Sequence, residues 1–216
     1  YQFVSRYATD INLTEDRIGG EPTDPTDPTD PTDPTDPTNG SLLFAGGDFE
    51  DFASFVTAVG TQYPLPTYAT QGTGNGIEGG NSLKLNGTPV GNDYVFTVPA
   101  PAGIPANATK ITFYVRGTAG KSLSLNVYRG TAGYDVFNLG DLSTSAVTLQ
   151  KSTEINSSGN GTNQYVGNIN TNNTWVKVTL NIADVAINTT AGNNIFALKV
   201  GKTAAYDLNL DNFYIE

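Results

Sequence analysis

The chain has 216 residues and contains neither cysteine nor histidine. Without cysteine there can be no disulfide and no thiolate metal site. Without histidine the usual partner in catalytic triads, zinc sites and general base work near neutral pH is missing. Basic residues are scarce too, with 11 Lys and Arg against 21 Asp and Glu and a formal net charge of −10. An acidic chain without a basic stripe is a poor partner for nucleic acid. No apolar run approaches the length of a membrane span, and no pattern supports a helix of three turns. The polar residues are mostly Asn, Thr, Ser and Gly, which suits an extracellular or cell-surface β-protein better than a cytosolic enzyme. A start at Tyr1 without methionine is what a removed export signal would leave, and a trimmed chain would look the same.

What is abundant is placed unevenly. Pro-Thr-Asp triplets run from Pro22 to Thr38. Proline at every third position fixes φ near −65° and turns each preceding Asp away from helix, so the 19–40 linker is expected to be an extended polyproline II rod. With three residues per turn, Asp24, Asp27, Asp30, Asp33 and Asp36 line one edge. At roughly 3.1 Å per residue the rod can span on the order of 50 Å. Glu21 and these five aspartates carry much of the net charge, leaving twelve acids against nine bases from Ser41 onward.

Ahead of the rod, residues 1–18 read YQFVSRYATDINLTEDRI. Tyr1, Phe3, Tyr7, Ile11 and Leu13 are apolar at odd positions and Gln2, Arg6, Asp10, Asn12 and Thr14 polar at even ones; Val4 and Ala8 break the alternation. This is the period of a half-buried strand. A lone strand can neither satisfy its backbone groups nor bury one face, so a detached N-terminal β-strand needs a host sheet. The host is either its own domain or the next copy of the protein. The plainer reading is a leader or linker of a longer chain, and the charges of Arg6, Asp10, Glu15, Asp16 and Arg17 favour it.

Residues 41–216 are enough for one domain with a core of its own. Short β-rich runs alternate with Gly, Asn, Pro and Thr clusters. The clearest strands are Leu42 to Ala45, Ser82 to Asn86, Tyr94 to Val98, Lys110 to Gly117, Ser122 to Arg129, Tyr134 to Leu139, Trp175 to Ile182, Asn194 to Val200 and Asp207 to Ile215. Ile111, Phe113 and Val115 share one face, as do Leu123, Leu125 and Val127, and Val176, Val178 and Leu180. Pro99 to Ala108 and Thr153 to Asn163 read as long loops. Strands at this spacing predict an all-β fold, an antiparallel sandwich.

Particular motifs then carry a resemblance. Phe44-Ala-Gly-Gly-Asp48-Phe49-Glu50, Gly80-Asn81-Ser82-Leu83-Lys84-Leu85, Trp175-Val-Lys-Val-Thr-Leu-Asn-Ile and Asp207-Leu-Asn-Leu-Asp211-Asn212-Phe213 resemble, in order and spacing, the galactose-binding-like jelly rolls. That superfamily includes many carbohydrate-binding modules of secreted bacterial enzymes. The resemblance covers roughly residues 42–216 and implies an antiparallel jelly-roll β-sandwich, a fold that by itself does not decide function.

A jelly roll brings its two ends side by side, and with them Asp48, Glu50, Asp211 and Asn212. Hard oxygen ligands of this kind are what calcium requires. In the resembled family an acidic pair at these positions often holds a structural Ca2+, which puts Glu50 and Asp211 first; the alternative is exposed acids that bind nothing. Such an ion would clamp the termini rather than catalyse.

Other candidates are weaker. Trp175 would serve sugar stacking if exposed, but the resemblance implies that it packs at a sheet edge. Tyr63, Tyr68, Tyr94, Tyr128, Tyr134 and Tyr165 are alternative platforms, none standing out, since tyrosine is an ordinary strand residue. Gly72-Thr-Gly-Asn-Gly76 lacks the Gly-Lys-Ser/Thr ending of a phosphate loop. Sequons at Asn12, Asn39, Asn86, Asn107, Asn156, Asn160, Asn172 and Asn188 are expected by chance in so Asn- and Thr-rich a chain. No carboxylate pair stands in an evident cleft for glycoside cleavage. The expectation is a protein without catalytic activity.

Two functions follow. In the first, the protein is an extracellular structural subunit: Tyr1, Phe3, Tyr7, Ile11 and Leu13 insert into the sheet of a neighbouring copy and the rod spans the gap. Such a head-to-tail contact does not close, so it makes a filament. Burying five such side chains gives about 1.5 to 3 kcal/mol each before ordering costs are subtracted. In the second, the domain is a carbohydrate-binding or adhesion module of a larger surface protein. That explains the domain well and the alternation of the leader poorly.

Overall fold

A computed structural model of the protein describes residues 40–61, 63–153 and 164–216. The donor-strand candidates Tyr1, Phe3, Tyr7, Ile11 and Leu13, the Pro-Thr-Asp rod and most of the loop from Thr153 to Asn163 lie outside the described residues.

The alternation read in the sequence becomes two packed sheets. Their strands are β1 (Ser41–Leu42), β2 (Ala69–Gln71), β3 (Leu83–Gly87), β4 (Asp93–Pro99), β5 (Lys110–Ala119) and β6 (Leu123–Tyr128), then β7 (Tyr134–Leu139), β8 (Val147–Leu149), β9 (Ile169–Asn170), β10 (Val176–Asn181), β11 (Asn194–Val200) and β12 (Tyr206–Ile215). The larger sheet runs β2-β3-β12-β5-β10-β8, with β1 beside β12 and β9 beside β5; the smaller runs β4-β11-β6-β7. This is the expected all-β sandwich. One pairing departs from the antiparallel expectation: β8 runs parallel to β10.

Ile111, Phe113, Val115, Leu123, Leu125, Val127, Val176, Val178 and Leu180 point between the sheets and are buried. The opposite face of these three strands is polar, which is the pattern of a sheet with one side on a core. Phe44, Phe49, Phe55, Phe96, Phe196 and Phe213 join them in one aromatic cluster at the end of the sandwich where the chain enters and leaves. Aromatic pairs at these offsets contribute beyond the area they bury.

The expected strand from Leu42 to Ala45 is shorter than its sequence suggests. Ladder pairing stops at Leu42 because the chain turns, the Gly47 N–H donating to the Phe44 carbonyl at 3.0 Å. Gly46 in that turn has φ +68, and a Cβ there would come within 2.6 Å of the Phe55 backbone nitrogen. A short helix follows, α1 (Phe52–Val59). Asp51 caps it by accepting the Ser54 N–H at 3.0 Å, satisfying one of the free donors of the first turn.

Candidate functional site

Three of the acids expected to converge, Asp48, Glu50 and Asp211, lie near enough for the charges of the first two to act on the third. Phe49 sits in the left-handed region at φ +57 with its ring buried, edge-on to Phe55 at 5.0 Å and to Phe213 at 5.9 Å. Anchored in this way, it leaves Asp48 and Glu50 on the outside of the turn. Backbone hydrogen bonds tie that turn to β12, with the Phe213 N–H on the Gly47 carbonyl and the Leu43 N–H on the Phe213 carbonyl, both at 2.9 Å.

On β12, Asp211 is 2% exposed although it points away from the core, because the segment from Gly72 to Gly80 covers it. Its Oδ2 accepts the Ile77 N–H at 2.8 Å and its Oδ1 the Asn212 N–H at 2.8 Å. Glu50 Oε1 accepts the Asn81 N–H at 2.9 Å. A Cβ on Gly80 would fall 1.9 Å from that oxygen, so the carboxylate lies directly against a backbone stripped of side chain.

Burial pushes the Asp211 carboxyl up to about 7, against the two N–H donors that favour its charged form, and the charges of Glu50 and Asp48 push the same way. Crowding of carboxylates in this way is what a cation relieves. Yet among the described residues no group of three or more His, Cys, Asp or Glu side chains is arranged to hold a metal ion. A calcium ion here would depend on backbone carbonyls as well as on Glu50 and Asp211. Asn212 has a backbone role: it takes φ +54 at an irregularity in the β12–β5 ladder.

A second constellation lies on the outward face of the smaller sheet. Tyr94 and Thr97 on β4, Tyr128 on β6, Asn194 on β11, the end of α1 and Tyr63 beyond it line a cleft of about 490 Å³. Tyr63 is 68% and Tyr94 41% exposed, so both rings are open to a ligand. Tyr134 stands edge-on to Tyr128 with centroids 5.5 Å apart. Burial, then the neighbouring Tyr94, pushes the hydroxyls of Tyr128 and Tyr134 up to about 12, so both remain neutral hydrogen-bonding groups at physiological pH. An aromatic-walled recess that also offers directed polar groups can take a small ligand.

Of the tyrosines named from sequence, Tyr63, Tyr94 and Tyr128 line this cleft, and Tyr134 adjoins it through Tyr128. Tyr68 precedes β2 in the other sheet. The convergence could be found only from register: Tyr128 and Tyr134 are cross-strand partners, and Tyr94 is separated from them by β11. Trp175 is not an open platform, since the Arg116 guanidinium lies over its ring at 4.7 Å.

No family model, curated protein or solved structure matches this chain. Among the described residues no helix is long and apolar enough to cross a membrane.

Proposed function

We propose that residues 41–216 form a carbohydrate-binding or adhesion module of the galactose-binding-like jelly-roll kind, acting outside the cell. The tyrosine-walled cleft of the smaller sheet carries this reading. Exposed tyrosine rings offer flat apolar faces to the C–H side of a sugar, and Thr97, Asn194 and the tyrosine hydroxyls offer directional partners for its hydroxyls. The absence of histidine and cysteine from the chain fits binding better than turnover. Calcium belongs to this reading as a structural ion at Glu50 and Asp211, with Asp48 and Asn212 beside it and backbone carbonyls completing the shell.

A panel of immobilised glycans probed with the full chain and with Tyr94→Ala tests the module. Retention on at least one glycan, weakened in the variant, supports it. Retention on none, or retention indifferent to Tyr94, removes it.

A second reading is polymerisation by strand exchange, favoured by one observation in the described domain. β1 is a two-residue edge strand whose ladder partner is β12, and it borders an apolar groove of about 320 Å³ between Leu42, Phe44, Pro101 and Ile104. An incoming strand bearing Tyr1, Phe3, Tyr7, Ile11 and Leu13 could add to such an edge and place alternate side chains in the groove. Deleting residues 1–20 and comparing particles by size exclusion and electron microscopy decides it: monomers both before and after deletion exclude the filament.

A further inference from the structure

Lys199 is on β11, in the outward-facing row of the smaller sheet, paired in register with Tyr94 on β4 and with Ser124 on β6. It is 9% exposed. Its ammonium lies 4.8 Å from the centroid of the Tyr94 ring and 6.0 Å from that of Tyr165. Among the described residues the ion pairs are Lys84 with Asp207, Lys110 with Glu216 and Arg129 with Asp135, and none of them uses Lys199. Other lysines end on backbone carbonyls, Lys121 on Lys202 and Lys151 on Asp184, each at 2.9 Å.

A cation withdrawn from water needs an anion or several hydrogen bonds to offset its lost hydration. The faces of two tyrosines supply only part of that. Burial accordingly pulls the Lys199 pKa down. A second group on the same face is also left wanting. Asn126 is wholly buried, its Oδ1 has no hydrogen-bond partner, and its Nδ2 reaches Tyr94 Oη only at 3.5 Å. Tyr94 lines the cleft, and Lys199 and Asn126, which do not, lie against it from behind.

We propose that the cleft takes an acidic glycan, one whose sugar carries a carboxylate or a sulfate, and that Lys199 is the counter-charge that selects it. This rests on the reading of the cleft as a sugar site. The chain carries a net charge of −10 and its domain more acids than bases, so a polyanion would not adhere to it through diffuse attraction. Selection of an acidic sugar therefore has to come from a particular cation, and Lys199 is the one buried beside the cleft without an ion-pair partner among the described residues.

The test measures affinity of the full chain for matched polysaccharides by calorimetry: a uronate polymer and the same polymer with its carboxyls reduced to alcohols, and dextran sulfate against dextran. At least one acidic member is expected to bind about tenfold or more tightly than its neutral counterpart, the scale of a charge acting through a poorly solvated site from behind the Tyr94 ring. The arm that shows the difference identifies carboxylate or sulfate. Lys199→Gln is expected to lose that preference, and Lys177→Gln, which removes the same charge from β10 in the other sheet, to keep it. Equal binding of acidic and neutral members, or a preference that survives Lys199→Gln, overturns the inference while leaving the sugar site standing. Failure of wild type to bind any member, neutral or acidic, overturns both. Should Lys199→Gln not fold, the comparison of parent and carboxyl-reduced polymers on wild type, together with Lys199→Arg retaining the preference, decides the matter.

Discussion

Phe113 and Phe213 stack face to face, their centroids 4.6 Å apart and their planes within 2° of parallel. Phe213 also meets Phe44, Phe49, Phe96 and Phe196 at 5.4 to 6.2 Å, which makes it the ring on which the entry turn, β12 and both sheets converge. Truncating it removes contacts on every side of a site that close packing prevents from collapsing. Phe213→Ala is expected to cost about 3 to 5 kcal/mol in chemical denaturation, with Phe213→Leu costing markedly less. Equal losses in the two variants would show that ring geometry, not volume, dominates there.

The stack depends on a backbone irregularity one residue earlier. Between the register pairs Asp211–Tyr114 and Tyr214–Thr112, β12 has two residues, Asn212 and Phe213, where β5 has Phe113 alone. That is a bulge, and it lets Asp211 face outward while Phe213 faces the core. Asn212 takes the left-handed conformation that the bulge needs, one that asparagine and glycine tolerate and β-branched residues do not. Asn212→Gly is therefore expected to melt close to wild type and Asn212→Val to lose about 1 to 2 kcal/mol. A valine variant as stable as wild type would mean that the bulge relaxes at little cost.

The cleft predicts a graded response across its tyrosines. Tyr63 and Tyr94 present open faces, whereas Tyr134 adjoins the cleft only through Tyr128. Replacement of Tyr94 or Tyr63 by alanine is expected to weaken glycan binding by about 1 to 2 kcal/mol, and replacement by phenylalanine by less. Tyr134→Ala should act through stability more than through affinity, which a melting curve beside each titration will separate.

Much of this fold was legible because burial follows the period-two pattern. The runs around Phe113, Leu125 and Val178 alternate clearly, and each became a strand with its apolar row inward. β2, β8 and β9 were not legible, being two or three residues long and owing their existence to the partner strand rather than to their own composition. Helix α1 had its signals in Asp51, Ser54 and Gly60, but two turns of mixed residues leave too little periodicity to read. At the candidate sites, closeness of the two ends of the domain followed from the family resemblance, and the charge of Glu50 does act on Asp211. The tyrosine cleft could not be read, because which tyrosines share a face depends on strand order, and strand order depends on contacts far apart in sequence.

Asp211 supplies the last prediction. Its carboxyl is raised from the ordinary 3.8 to about 7 by burial and by Glu50 and Asp48. Between about pH 4 and pH 7 the folded state holds a proton that the unfolded chain has already released, so folding binds protons there and stability falls as pH rises. The contribution is whole below pH 4, declines at up to about 1.4 kcal/mol per unit, and levels off above 7. Asp211→Asn should flatten this slope, at the expense of one of the two N–H contacts, because an amide offers a single acceptor oxygen. Calcium would act on the ionised form alone: if Glu50 and Asp211 hold it, adding it at pH 8 raises the melting temperature, EDTA reverses the gain, and at pH 5 the effect shrinks because protons compete. Identical melting at pH 8 in calcium and in EDTA would leave these acids as a pH-sensitive latch between the entry turn and β12, with no metal role.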